Sequence, residues 1–172
     1  MQVDVKDIRK LIDTLKVGDR VLLSGTVYTA RDAAHKRIIQ LIEQDKDLPF
    51  PICDSVIYYC GPTPTSKGYV IGSAGPTTSM RMEPYIPKLL DLGLAGIIGK
   101  GPLSEKVKRK IVENKAVYFC AIGGAGAFYS NCIEKCTEIA FFDLGPESIK
   151  RLVLKDFPVY VGIDFTGNTL FV

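Results

Sequence analysis

Apolar residues follow two rhythms along this chain. Ile8, Leu11, Ile12 and Leu15 recur at helical spacing behind Asp7, which predicts a short amphipathic helix with Asp7 as its N-cap. Gly18-Asp19 then turns the chain into a strand over Arg20–Tyr28. Asp32 is the expected cap of a second helix, whose apolar face is Ala34, Ile38, Leu41 and Ile42. Leu48-Pro49-Phe50-Pro51 breaks the pattern, and short strands are predicted at Val56–Cys60 and Tyr69–Ile71.

From Pro84 the two rhythms alternate. A helix near Tyr85–Leu92 leads to a strand at Gly96–Ile98, and Ser104 caps a basic helix ending near Glu113. A nearly all-apolar strand, Ala116–Ile122, precedes a Gly-rich turn, a helix near Phe128–Lys135 and a strand at Ile139–Phe142. Such alternation predicts an α/β fold with a central, largely parallel sheet buried on both faces. The end reads differently, as strands Arg151–Leu154, Val159–Asp164 and Leu170–Val172, with a turn at Gly167-Asn168. No repeat, low-complexity stretch or domain boundary interrupts the pattern, so residues 1–172 are expected to form one domain.

Composition narrows the function classes. Hydrophobic residues make up 47% and charged residues 24%, an ordinary globular balance. The net charge of +3 gives no reason to expect nucleic acid or a membrane surface as a partner. No apolar run approaches the ~20 residues of a membrane span, and Val3–Arg9 is too charged to open a secretory signal. The five cysteines, Cys53, Cys60, Cys120, Cys132 and Cys136, are odd in number and widely spaced, so no disulfide framework is expected. Cys132 and Cys136 would share a face of a helix and admit a metal pair; small apolar fillers in a reducing cytoplasm are the other reading.

The chemistry concentrates in Gly72-Ser73-Ala74-Gly75-Pro76-Thr77-Thr78-Ser79-Met80-Arg81, between a predicted strand and a predicted helix. Glycines allow close backbone approach, a helix start offers free N–H groups, and hydroxyls and a guanidinium suit a carboxylate or phosphate. A plain connector with a helix cap is the alternative. Arg31 occupies a similar strand-to-helix position, where pairing with Asp32 or another carboxylate is the structural alternative. Lys100, between Gly99 and Gly101, is a third cation at a strand end. Ligands of α/β sheets bind at such ends, and three cations there would make a pocket for a small dianion. His35, the only histidine, lies one turn beyond Arg31; it either approaches the same site or is satisfied in the core. Gly123-Gly124-Ala125-Gly126 lacks the full dinucleotide fingerprint and reads better as tight helix–strand packing.

Four segments together resemble the β region of class I fumarases and tartrate dehydratases. They are Ser24–His35 with its Ala-Arg-Asp-Ala-Ala-His core, Tyr59-Cys60-Gly61-Pro62, Gly75–Met82 and Ile98-Gly99-Lys100-Gly101. The tail from Asp156 to Asp164, with Gly167-Asn168, resembles the ending of that family. The resemblance implies a swivelling β/β/α layered domain and a cytoplasmic hydro-lyase. It implies a [4Fe–4S] cluster carried by a partner α subunit and not by this chain, whose cysteines occupy no recognisable cluster-ligand positions. It also implies a heterotetramer of two α and two β subunits. The substrate would be fumarate or malate, with tartrate as the alternative. Arg31, Thr77, Thr78, Arg81 and Lys100 would bind the dicarboxylate, and Thr77 would move a proton at carbon. A non-catalytic subunit that only closes the partner's site is the competing class.

Overall fold

The computed structural model describes residues 1–171. Seven strands form one mixed sheet. Strands β1 (Gln2–Asp4), β2 (Arg20–Thr29), β3 (Val56–Tyr58), β4 (Gly96–Gly99) and β5 (Val117–Cys120) are mutually parallel neighbours in that order. The helices between them are α1 (Ile8–Leu11), α2 (Asp32–Glu43), α3 (Ile86–Asp91) and α4 (Glu105–Glu113). This half follows the expected strand–helix alternation.

The remainder does not. A short helix α5 (Gly126–Ser130) replaces the helix expected over Phe128–Lys135, and β6 (Ile133–Ala140) begins inside that window. A four-residue spacing fits a strand face as well as a helix face, which is why Cys132 and Cys136 misled. Cys136 lies on β6 and Cys132 in the preceding turn, so no helix presents them as a pair. The two strands expected at Arg151–Leu154 and Val159–Asp164 are one strand, β7 (Ile149–Ile163). Lys155-Asp156 and Pro158 look like breakers, yet Asp156 takes a φ of 47° within the strand and Pro158 stands opposite Leu22 in the ladder. Tyr69–Ile71 forms turns and bends, not a strand; the connection beyond β3 is held instead by a bridge between Cys60 and Pro76. Leu170 and Phe171 are not in a strand either, and Val172 of that expected strand lies outside the described residues.

β7 explains the mixed character of the sheet. It runs antiparallel to β2, to β5 and to β6. Pairing therefore passes from β2 through β3, β4, β5 and β7 and returns to β2. The largely parallel sheet expected from the alternation thus holds for β1 to β5, and β6 and β7 make the whole mixed.

Period-two burial splits each inner strand between two cores. Val56, Tyr58, Ile98, Val117 and Phe119 join Val21, Leu23, Leu152 and Val159, together with Ile8 and Ile12. Ile57, Tyr59, Ile97 and Tyr118 face Ala34 and Ile38 of α2, Leu89 of α3 and Ile111 of α4. No helix among the described residues is long and apolar enough to cross a membrane.

Candidate functional site

The parallel arrangement puts the C-terminal ends of β2 to β5 on one edge, where every candidate residue follows a strand. Arg31 follows β2 and is the N-cap residue of α2. Its side chain lies against Gly61, just beyond β3; a Cβ there would come within 2.7 Å of Arg31 Cδ, so only glycine leaves this room. Glu147 approaches from the 3₁₀ segment Phe142–Glu147. Its carboxylate pairs with Arg31 at 3.5 Å and accepts the Ala33 amide at 2.9 Å, so it sits at the positive end of α2.

The segment carrying Thr77, Thr78 and Arg81 is tied to three strand ends. The Thr77 amide donates to the Tyr59 carbonyl at 2.6 Å. Thr78 bridges to Lys100 in parallel register, and the Ser79 amide donates to the Lys100 carbonyl at 2.9 Å. The Lys100 amide donates in return to Ser79 Oγ at 3.0 Å; the Ser79 hydroxyl donates to that of Tyr118 at 2.9 Å, since the Tyr118 proton goes to the Gly101 carbonyl at 2.8 Å. Gly99 permits this lock, because a Cβ at that position would meet Ser79 Oγ at 1.9 Å. Arg81 closes the network from the 3₁₀ turn Ser79–Met82. Its Nε donates to Asp32 Oδ1 at 3.1 Å and its Nη2 to Asp32 Oδ2 at 2.8 Å. Asp32 is thus the first residue of α2 and the partner of Arg81, not the expected cap of its own helix.

The Lys100 side chain extends over Gly123 in the loop after β5. His35 is fully buried, with Nδ1 2.8 Å from the Arg31 carbonyl. A carbonyl only accepts, so Nδ1 carries the proton and Nε2 is bare. Burial pushes the imidazole down to about 4, against the pull of that hydrogen bond and of nearby Asp32. His35 steadies the Arg31 backbone from within the core, beside the rings of Tyr59 and Tyr85.

Arg31, Arg81, Lys100 and the two threonines therefore come to one edge, as the motifs led us to expect. A carboxylate partner for Arg31 was the structural alternative, and Glu147 fills it; that Asp32 would serve Arg81 was not foreseen. Asp32 stands beside the wrong arginine in sequence, and Glu147 is separated from Arg31 by most of the chain. The only signal for either was that a strand-end arginine needs a carboxylate partner.

The described residues do not fit as ligands of a metal cluster. No three His, Cys, Asp or Glu side chains among them are grouped to hold a metal ion. Burial pushes the Cys60 thiol up to about 12 and the Cys120 thiol up to about 11, the reverse of what a metal-binding thiolate needs.

Parallel strands alternating with helices, with cations and hydroxyls after the strands' C-terminal ends, define an α/β protein of the kind that binds ligands at such ends. The comparisons with known proteins carry this further. The model of the family described as Fumarase C-terminus matches residues 1–172. The chain is 36% identical over 172 residues to a protein of Methanocaldococcus jannaschii provisionally named L(+)-tartrate dehydratase subunit beta, covering 96% of this chain and 86% of that one. It is 38% identical over 164 residues to a provisionally named class I fumarate hydratase of Geobacillus stearothermophilus, and 36% identical over 169 residues to the anaerobic class I fumarate hydratase of Escherichia coli K12. Those two alignments cover 92% and 97% of this chain but 31% of each relative. The chain belongs to the fumarase C-terminal family.

Proposed function

We propose that this chain is the β component of an iron–sulfur hydro-lyase that interconverts fumarate and malate in the cytoplasm. Residues 1–172 would be one swivelling β/β/α domain, and the [4Fe–4S] cluster would reside on an α partner in an assembly of two α and two β subunits. The observation that carries this reading is the locking of the Thr77–Arg81 segment to the ends of β3, β4 and α2, beside Arg31 and Lys100. Five free cysteines suit a reducing compartment.

Each residue type suits a distinct task. Arg31 and Arg81 offer planar forks that match carboxylates, and Lys100 adds a compact charge. Thr78 supplies a hydroxyl for orientation. Thr77 would move a proton at the carbon beside the substrate carboxylate. A hydroxyl is a poor base in water, so this role needs nearby cations and a dry site. The cluster, when bound, supplies Lewis acidity toward a carboxylate and the hydroxyl that is added or lost.

The tartrate reading is supported by the Methanocaldococcus relative, most of whose length this chain covers. A substrate panel on the complex reconstituted with the cluster subunit separates the two. Arg81→Lys keeps the charge but loses the planar fork, so it should raise KM with some loss of kcat. Thr77→Val should lower kcat by roughly 10²–10⁴-fold with a smaller effect on KM. It should also suppress solvent-proton exchange at malate C3. If both variants turn over at the wild-type rate, the chain only closes its partner's site.

A further inference from the structure

Arg81 is the most exposed of the site's arginines. Its side chain is 51% accessible, and it stands on a short 3₁₀ turn. A long side chain so placed has several rotamers, and its guanidinium would be poorly aimed without a second contact. Asp32 provides that contact through two parallel hydrogen bonds, at 3.1 and 2.8 Å. Asp32 itself is well anchored. It opens the twelve-residue helix α2, whose first turn is held by Glu147 on the Ala33 amide and by His35 on the Arg31 carbonyl.

A guanidinium has five N–H groups in a plane. Asp32 occupies the side edge, made of Nε–H and one N–H of Nη2. Both N–H groups of Nη1 and the second of Nη2 remain. One N–H from each nitrogen forms an end-on fork, and that fork can bind a second carboxylate bidentately while Asp32 keeps the first.

We infer that Asp32 is a positioning residue, which holds the side edge of Arg81 so that the end-on edge faces the carboxylate of the bound ligand. This rests on the proposed dicarboxylate site. The opposite arrangement would be a latch, in which Asp32 occupies the place of the substrate carboxylate and must leave. The two differ in sign. Removing a latch tightens substrate binding; removing a positioning group weakens it and misaligns the reacting atoms.

The test uses the complex reconstituted with the cluster subunit and compares Asp32→Ala, Asp32→Asn, Arg81→Lys and the double variant Asp32→Ala/Arg81→Lys, with fumarate as substrate. Asp32→Ala should lower kcat/KM on the order of 10- to 100-fold, the scale of a misplaced binding group, with KM raised. Asp32→Asn retains one acceptor and should fall between Asp32→Ala and wild type. Because Asp32 acts through Arg81, adding Asp32→Ala to Arg81→Lys should cost little more. The unfolding midpoint should hardly move, since an exposed pair adds little to stability; should Asp32→Ala misfold, the near-isosteric Asp32→Asn carries the same test. A lower KM in Asp32→Ala or Asp32→Asn, unchanged kinetics, or fully additive effects with Arg81→Lys overturns the inference while the site reading stands. Wild-type kinetics in Arg81→Lys overturns the site reading itself.

Discussion

The imidazole of His35 has no exposed surface, and its bare Nε2 finds no partner among the described residues. Protonation would put a charge into that apolar setting, and burial therefore pushes the group down to about 4. In the unfolded chain a histidine titrates near 6.5. Between these values the unfolded chain binds a proton that the folded chain refuses, so stability falls as pH drops through that window and levels off below it. The loss from pH 7 to pH 5 comes to about 2 kcal/mol at 1.36 kcal/mol per unit. Urea unfolding at the two pH values should show this drop in wild type and should lack it in His35→Phe, other acid-sensitive groups cancelling in the comparison. Equal drops in the two proteins would mean that His35 is protonated or solvated in the folded state. The same residue should add no limb near pH 6.5 to the activity profile. Spacing along the helix brought His35 near Arg31, but its burial comes from Tyr59 and Tyr85, on other elements.

At the scale of elements, legibility follows how local the cause is. Helices α2 and α4 and strands β2, β4 and β5 lie close to where their own periodicity puts them. β7 is governed by its pairing with β2, far away in sequence, and there the local breakers Asp156 and Pro158 point the wrong way; β6, an edge strand, follows β7. The candidate site divides in the same manner. Its cations stand in recognisable strand-end motifs, whereas Asp32 and Glu147 acquire their partners only when the elements meet.

Arg9 belongs to this second kind. In sequence it is one charge in a charged stretch. In the fold, its Nη1 donates to the carbonyls of Asn114 and Lys115 at 2.7 and 2.8 Å, and its Nη2 to those of Gly93 and Leu94 at 2.6 and 3.2 Å. A single cation thus serves the C-terminal ends of both α3 and α4, where carbonyls lack helical partners and the dipole favours positive charge. Arg9→Lys keeps the charge but cannot span four carbonyls. It should cost about 2 kcal/mol, the scale of a few charge-assisted hydrogen bonds partly replaced by water. Urea denaturation should show a lower midpoint with an unchanged slope.

At the scale of the whole molecule, exposed apolar side chains are distributed unevenly. Tyr69, Val70, Met80, Ile122, Phe128 and Phe142 are all exposed, and all lie on segments at the edge that carries Arg31, Arg81 and Lys100. The charged residues of the site therefore share that edge with apolar side chains that water solvates poorly. The proposed partner would account for both features, covering these apolar side chains and giving Thr77 the water-free setting that its proposed chemistry requires. Met1, Leu92, Tyr160 and Leu170 are also exposed but lie on other segments; Leu92 closes α3 at the opposite edge. A charge placed in a covered apolar contact must be desolvated without compensation, whereas the same charge on a free surface is solvated. Ile122→Lys combined with Phe128→Lys should therefore abolish co-purification with the cluster subunit and with it the activity. Leu92→Lys should leave both intact. Circular dichroism and the unfolding midpoint should remain close to wild type in both variants, because the replaced side chains already face solvent in the free chain. Association undiminished in the Ile122→Lys/Phe128→Lys variant would place the partner on another face and leave these apolar side chains without an occupant.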